Sequence, residues 1–202
     1  MTPDHLDTDD AEEVGHILAA AMFNDPLAAA TFPEIEDREA LLPLHLEALV
    51  RYCALFGWVE GLGDPLEAAA IWLVPGETEM PPERLVAAGF NTHAEVIGDE
   101  ASERFFGVME HMEGVHADAI DRDHWYLQVI GVSPDVQQSG YGAALLAPVL
   151  EEADQALQPI YLETFAAETV AYYENLDFEV VATDRDPVLG LKYWAMLREP
   201  VA

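Results

Sequence analysis

The sequence predicts an α/β protein in which a mixed sheet is flanked by helices. From residue 124 onward, apolar strand-like runs and amphipathic segments follow the order strand, helix, strand, helix, strand, strand. That order is typical of a sheet with crossover helices. The chain has 202 residues and 51% of them are hydrophobic, which allows one domain with a sizeable core. We expect a single domain over 1–202, with a helical half at 1–123 and a sheet-forming core at 124–202.

The first half is mostly helical. "NDP" at 24–26 breaks the first helix, and Gly57 is placed to end the second. A turn rich in Gly, Asp and Pro separates two short strand-like runs. The predicted elements are a helix capped by Asp9 or Asp10, a helix over 37–56, strands over 58–61 and 68–74, and helical sequence over 83–121.

The second half has a tighter pattern. The nearly continuous apolar run "HWYLQVIGV" over 124–132 predicts a strand at the centre of the sheet. Leu145, Leu146 and Val149 share one face of the helix that follows, and Pro148 lies inside that helix. The remaining predicted elements are a strand over 160–165, a short helix in "AAETVAYYENLD", and strands in "FEVVATD" and "LGLKYWAMLRE".

The chain is extremely acidic, with 39 Asp and Glu against 8 Lys and Arg and a formal net charge of −31. The acids are spread over every segment, which indicates a surface property. High salt would screen their repulsion, since the Debye length falls to about 3 Å at 1 M. We interpret the charge as adaptation to a saline (halophilic) cytoplasm; a trap for cationic substrates is the alternative. Nucleic-acid binding is not expected, because phosphate contacts need a basic face.

Targeting and redox signals point to a cytoplasmic protein. The N-terminal segment is acidic and lacks the basic and apolar regions of a secretory signal. No apolar run is long enough to cross a bilayer, so no membrane association is expected. Cys53 is the only cysteine, which excludes an intrachain disulfide and a multi-cysteine zinc site.

The turn after the central strand carries the strongest functional signal. Pro134 stops the strand, and Gly140 and Gly142 open the next helix in a Gly-x-Gly pattern. Glycine permits close backbone approach, and the first helical amides have no internal partners, so the turn could bind pyrophosphate. A plain tight turn explains the same pattern. No Gly-Lys-Ser/Thr follows, and Leu145 occupies the third position of a Gly-x-Gly-x-x-Gly motif, so Walker-A and Rossmann sites fit poorly.

The turn reads Gln137-Gln138-Ser139-Gly140-Tyr141-Gly142, and "YYENLDF" ends an aromatic helix at Phe178. With "YLETF" between them, these motifs resemble the GNAT N-acetyltransferase family. "AMFNDPLAAATFPE", "AAAIWLVPGE" and "HWYLQVIGVSP" are similar to its puromycin-acetyltransferase-like branch. The resemblance implies the GNAT fold, a mostly antiparallel mixed sheet with a splayed central strand pair. Residues 1–123 would then form the acceptor side and 124–202 the acetyl-CoA-binding core.

The resemblance also implies acetyl-CoA as co-substrate and an amine as acceptor. The acetyl and pantetheine arm would bind the backbone of Ile130, Gly131 and Val132, where the central strand splays near a bulge. A glycine in mid-strand independently indicates a bulge or a close backbone approach. The pyrophosphate would bind the amides of Gln137, Gln138, Ser139, Gly140, Tyr141, Gly142 and Ala143.

Three residues are candidates for acid–base chemistry. The resemblance places a proton donor for the CoA sulfur at Tyr173, and a phenol suits that task; a core aromatic is the alternative. We expect Tyr172 to serve packing. Glu163, on the strand beside the cofactor, and His124, at the start of the central strand, are candidate bases, although a water relay could replace either.

Other features leave the acceptor open. His111, His116 and His124 match no standard ligand spacing, so we expect no metal and place His111 and His116 on a solvated helix face. The chain departs from the family at four positions. Gln138 and Ser139 stand where a glycine and a basic residue are usual, Ala166 stands where an asparagine is usual, and Asp177 replaces a glycine. The alternatives to an N-acetyltransferase are a non-catalytic acyl-CoA-binding module and an unrelated nucleotide-binding protein. A homodimer is a further expectation from the family.

Overall fold

A computed structural model describes residues 1–201 and shows a single seven-stranded sheet within them. The strands are β1 (Asp4–His5), β2 (Trp58–Leu62), β3 (Ala68–Leu73), β4 (Trp125–Val132), β5 (Ile160–Thr164), β6 (Glu179–Arg185) and β7 (Lys192–Arg198). Their order is β1-β2-β3-β4-β5-β7-β6. All neighbours are antiparallel except β4 and β5, which are parallel. The predicted fold class, a mixed and mostly antiparallel sheet, is confirmed.

The helices cover both faces of this sheet. They are α1 (Ala11–Met22), α2 (Pro26–Thr31), α3 (Ile35–Phe56), α4 (Pro82–Ala87), α5 (His93–Ile97), α6 (Asp99–Ala119), α7 (Tyr141–Ala156) and α8 (Ala167–Glu174). The Asp25 carboxylate caps α2 by accepting a hydrogen bond from the Leu27 amide at 2.8 Å. No helix within residues 1–201 is long and apolar enough to cross a membrane.

The two faces of β3 show how the core is divided. Ala69, Ile71 and Leu73 pack in the cluster formed with α1 and α3. The alternate residues Ala70 and Trp72 pack in the cluster formed with α7 and α8. Because successive side chains of a strand point to opposite faces, a strand buried on both sides needs a continuous apolar run, as this one has.

Helix α1 is held between α3 and β4 by two glycines. A Cβ at Gly131 would lie 2.7 Å from the Ala21 Cβ, and one at Gly15 would lie 3.0 Å from the Glu47 Cα. Both positions are too tight for a side chain. Gly131 therefore permits helix α1 to approach the backbone of β4 closely. The bulge of β4 lies elsewhere, at Gln128.

The first strand is only the two-residue β1. One other feature differs from the sequence-based expectations. The region predicted as helical over 83–121 is three helices, because Gly98 has a φ of +87° and separates α5 from α6. The end of α3 at Gly57 and the strands that follow agree with the prediction.

A buried carboxyl on β2 gives a prediction for stability. Glu60 is 3% exposed, and one of its oxygens accepts a hydrogen bond from Trp72 Nε1 at 3.3 Å. Burial raises its pKa to about 7. The folded state therefore favours the protonated form, and this contribution to stability is present below pH 4.5 and lost as the pH rises through 7.

We expect Glu60→Gln to stabilise the protein at pH 8 by about 2 kcal/mol, or about 5 °C in Tm, with little gain at pH 4.5. The amide keeps the shape and the acceptor oxygen without the charge. Thermal melts at the two pH values check this. Glu152→Gln removes a charge from an exposed position on α7 and should show no such pH dependence. An equal gain at both pH values would contradict the assignment.

Candidate active site

The two parallel strands at the centre of the sheet separate partway along their length. β4 and β5 pair over three positions, Trp125 with Ile160 through Leu127 with Leu162. The bulge at Gln128 comes next, since Val129 pairs with Ile71 and Leu127 with Trp72. A bulge bends its strand and increases the local twist. The second half of β4 therefore follows β3 and parts from β5, which is the splay that the resemblance implies.

Backbone groups of β4 face the resulting gap. The Ser133 amide donates to the Glu67 carbonyl at 2.8 Å, on the side of β3. Alternate residues of an antiparallel pair direct their backbone groups to the same side. Gly131 therefore bonds to β3, and Ile130 and Val132 face the gap. Of the three predicted backbone contacts, two are on the open side.

A cleft of about 1970 Å³ passes through this gap. On one side of the sheet it reaches the start of α7 and the start of α8. On the other side it runs between α2, α3 and α6. A single cleft therefore connects the predicted cofactor turn with the helical half of the chain.

The turn before α7 presents free amides to this cleft. Within residues 1–201, no backbone or side-chain acceptor bonds the amides from 137 to 143. The first helical bond at this end runs from the Ala144 amide to the Gly140 carbonyl at 3.0 Å. Gly140 has a φ of +91° and open space where a Cβ would be. Gln138 has a φ of +62°, at the position where the family usually has glycine. These amides form a ready anion site at a helix N-terminus.

Most of the predicted cofactor residues line the cleft. Ser139 is the exception, because its hydroxyl turns back and donates to the Val136 carbonyl at 2.5 Å. The side chain of Gln137 also bonds locally, from Nε2 to the Val132 carbonyl at 3.3 Å. The contributions of this turn to a ligand are therefore main-chain amides.

The two adjacent tyrosines of α8 both line the cleft. Tyr173 is 7% exposed, packs against Phe178, and forms no hydrogen bond through its hydroxyl within residues 1–201. Burial raises its pKa well above the usual range, so the phenol stays protonated. Tyr172 is 40% exposed, and its hydroxyl lies 3.4 Å from where a Cβ of Gly142 would be. The Tyr172 ring contacts the Tyr173 ring, with centroids 5.4 Å apart, and Tyr173 is the more buried of the two. The role of Tyr172 in packing stays a prediction.

Glu163 lies at the point where β4 and β5 part. Its two carboxyl oxygens accept hydrogen bonds from the hydroxyls of Tyr126, at 2.5 Å, and Tyr161, at 2.7 Å. Burial raises its pKa to about 7, although both hydrogen bonds act to lower it. A carboxylate with this pKa can accept a proton near neutral pH.

A pair of histidines lies beside the two tyrosines that hold this carboxyl. His124 Nδ1 is 2.6 Å from the Arg122 carbonyl, which can only accept, so that nitrogen carries hydrogen. The Nε2 of His124 then accepts from Nε2–H of His116 at 2.7 Å. Burial lowers the pKa of both rings, that of His116 to about 4. Both nitrogens of His124 are engaged, so the geometry gives it no free nitrogen with which to act as a base.

His116 was misplaced by the sequence analysis. It is half-buried and stacks on Tyr161 with ring centroids 4.4 Å apart, so it is not on a solvated helix face. Its Nδ1 has no partner within residues 1–201 and is left as an acceptor. The sequence offered one signal that His116 is partly buried. It lies four residues after the apolar Met112, and residues four apart share a face of a helix.

The sequence profile of the Acetyltransferase (GNAT) family matches residues 66–178. The chain belongs to the GNAT acetyltransferase family. The match includes β3, β4, the turn before α7, and the helix that carries Tyr173. The enzyme is thus an N-acetyltransferase, and members of this family use acetyl-CoA.

Relatives of the acetyltransferase share its whole fold. An uncharacterised N-acetyltransferase of Schizosaccharomyces pombe is 26% identical over 184 residues, which cover 88% of this chain and 74% of the relative. A histone acetyltransferase and related acetyltransferase from Corynebacterium glutamicum is 21% identical, with a TM-score of 0.62 over 100% of this chain and 98% of that one. Arylalkylamine N-acetyltransferase 2 from Aedes aegypti is 14% identical, with a TM-score of 0.65 over 98% and 97% of the two chains.

The charges of the cleft are almost all negative. Its lining includes two arginines, Arg84 and Arg122, and each is paired with a glutamate. No basic side chain belongs to the turn before α7. Within the described residues 1–201, no group of three or more His, Cys, Asp or Glu is arranged to hold a metal ion. An anion at this turn would therefore meet helix and backbone dipoles and no cationic side chain of the turn.

Proposed function

We propose that the acetyltransferase transfers an acetyl group directly from acetyl-CoA to a primary amine of a small molecule or protein. The observation that carries this is the single cleft that joins the free amides before α7 to the parted edge of β4. The similarity to the puromycin-acetyltransferase-like branch stays a prediction.

The residues of the cofactor turn fit the diphosphate of acetyl-CoA. Amides from 137 to 143 are free of internal partners, and Gly140 leaves open space beside them. Further along the cleft, Ile130 and Val132 face the gap with backbone groups that suit the amides of a pantetheine arm. An extended ligand can pair with a strand edge in this way.

Acetyl-CoA supplies the acetyl group as a thioester. The Ile130 amide would stabilise negative charge that develops on the thioester oxygen, because a fixed dipole in a buried site needs no reorganisation. The Tyr173 hydroxyl would donate a proton to the departing sulfur. Glu163 would take the proton that the acceptor ammonium must lose before its nitrogen can attack. The attacking nitrogen loses a second proton as the C–S bond breaks and the amide forms, and an equivalent proton from solvent restores the Tyr173 hydroxyl. The proton held by Glu163 passes to solvent, so the products are the amide, the thiol and one proton.

Adding a negative charge at the start of α7 tests the binding mode. Ala143 is exposed on the first turn of this helix, and Ala147 is exposed one turn later. We expect Ala143→Asp to weaken CoA binding by about tenfold to 100-fold, because a carboxylate competes with phosphate for the same dipole. Calorimetric titration with CoA in about 1 M salt, which screens distant charges, measures this.

The matched control is Ala147→Asp, which adds the same charge beyond the reach of the free amides and should change binding less than threefold. Equal losses in both variants would indicate a general charge effect and would remove the proposed phosphate site. CoA binding without thiol release across a broad amine panel would favour the non-catalytic module instead. Competition by ATP or NAD would favour a nucleotide-binding protein.

A further inference from the structure

The half of the cleft on the α6 side of the sheet has an apolar, largely aromatic wall. We name this wall the aromatic chamber. It is formed by Leu27, His45, Phe90, Phe105, Phe106 and Met109, all of which line the cleft. The splay of β4 and β5 lies at one end of it.

The chamber is continuous with the proposed reaction centre. Leu27 and Met109 pack against the large core cluster that contains Phe105, and also against a small cluster that includes Phe165. Phe165 follows Glu163 by two residues, at the end of β5. On α6, Phe105 lies one turn before Met109, which places it about 6 Å farther along the helix axis. A group bound at Glu163 can therefore extend directly into the chamber.

The rings of the chamber leave apolar surface uncovered. Phe106 contacts Phe105 with centroids 5.4 Å apart and Phe90 at 6.2 Å. It is nevertheless 38% exposed, on the wall of the cleft. An apolar ligand would remove this surface from water, with a gain of about 25 cal/mol per Å².

The six residues of the chamber wall carry no charge at neutral pH. His45 is 4% exposed and lies 4.4 Å from Phe105, measured between ring centroids. Its Nδ1 is 3.1 Å from His93 Nε2. Burial, with His93 adding to it, lowers the pKa of His45 to about 3. Asp25, the N-cap of α2, and Glu110, next to Met109 on α6, line the cleft but are not part of this wall, and Oδ1 of Asp25 is occupied by the cap. A second cationic group placed against the wall would lose its water and find no ion-pair partner among the six wall residues.

We propose that the acceptor is a primary amine with one apolar aryl or alkyl chain, its nitrogen at Glu163 and its chain in the aromatic chamber. This inference rests on the proposed function, because it assumes that Glu163 marks the reacting nitrogen. It excludes polyamines as preferred acceptors, in spite of the acidic surface.

A homologous series of amines tests the chamber. Butylamine, hexylamine and octylamine are compared with 1,4-diaminobutane and 1,6-diaminohexane by the rate of thiol release from acetyl-CoA. We expect kcat/KM to rise about fourfold per methylene along the monoamines. Hexylamine should exceed 1,6-diaminohexane at least about tenfold. A flat series, or preference for the diamines, overturns the inference and leaves the proposed function intact.

Two variants connect the result to the wall itself. Phe106→Ala should reduce the gain per methylene to about twofold and act mainly on KM, because it removes binding surface at a distance from the chemistry. Val96→Ala truncates a residue that is 45% exposed on α5 and does not line the cleft, so the series should be unchanged. The same response in both variants overturns the assignment of the chamber.

A binding measurement separates this inference from the proposed function. If no amine is acetylated, the proposed function fails. Octylamine should still raise the Tm of the wild-type chain, and raise it less in Phe106→Ala, if the chamber binds apolar amines. No shift, or an equal shift with both proteins, overturns the inference.

Discussion

Replacing Tyr173 by phenylalanine is expected to lower kcat about 100-fold and to leave CoA affinity within about threefold of the wild type. The ring is buried against Phe178, and phenylalanine keeps that contact. What is lost is the proton that the hydroxyl would donate to the departing sulfur, and a positioned general acid is worth about 100-fold to 10,000-fold. Steady-state rates and CoA titration measure the two quantities.

Tyr172→Phe is the matched control. It removes the same atom from the neighbouring ring, which also lines the cleft, and should change kcat less than about threefold. The raised pKa of Tyr173 adds a second expectation, that no alkaline loss of activity occurs below about pH 10. Comparable rates for Tyr173→Phe and the wild type would remove this residue from the chemistry and leave it as a core aromatic.

Replacing Glu163 by glutamine is expected to lower kcat/KM about 100-fold to 1000-fold at pH 8. The carboxylate is the form that accepts a proton, and burial raises its pKa to about 7. The rate of the wild-type enzyme should therefore fall about tenfold per pH unit as the pH decreases below 7. That acid limb should be absent from the Glu163→Gln profile.

Glu168→Gln is the control for this substitution, because Glu168 also lines the cleft but is exposed on the first turn of α8. It should keep the acid limb and most of the rate. An unaltered acid limb in Glu163→Gln would show that another group accepts the proton. His116, whose Nδ1 is free to accept one, would then be the next residue to substitute.

The shape of the turn before α7 was predictable from the sequence because it depends on the main chain. Gly140 and Gly142 mark a backbone path and a helix start, and these are local properties of a short stretch. The positive φ of Gln138 and Asp177 shows the limit of that approach. Family comparison expects glycine at both positions, and the backbone keeps the left-handed conformation without it.

The other side of the site depends on contacts between distant segments. Glu163 owes its raised pKa to burial, and the hydroxyls of Tyr126 and Tyr161 hold its carboxyl. Tyr161 and Glu163 are two residues apart and share one face of β5, but no spacing in the sequence brings Tyr126 to them. The bulge lies at Gln128 because of the register between β4 and β3, and the sequence of β4 alone does not reveal that register. Gly131 indicated a bulge or a close backbone approach, and the structure shows the close approach, which is that of α1.

The tight packing of α1 against α3 and β4 determines which walls of the cleft can tolerate substitutions. Gly15 and Gly131 leave no space for a methyl group on either side of the helix. Even alanine at position 131 would therefore push α1 away from β4, the strand whose open edge we propose as the site of the acyl donor. Changes of acceptor preference, by evolution or by engineering, are therefore expected in the wall of the aromatic chamber, to which α2, α3, α6 and Phe90 contribute. The wall formed by α1 and β4 cannot change without disturbing the fold, and the opposite wall can change to accept new substrates.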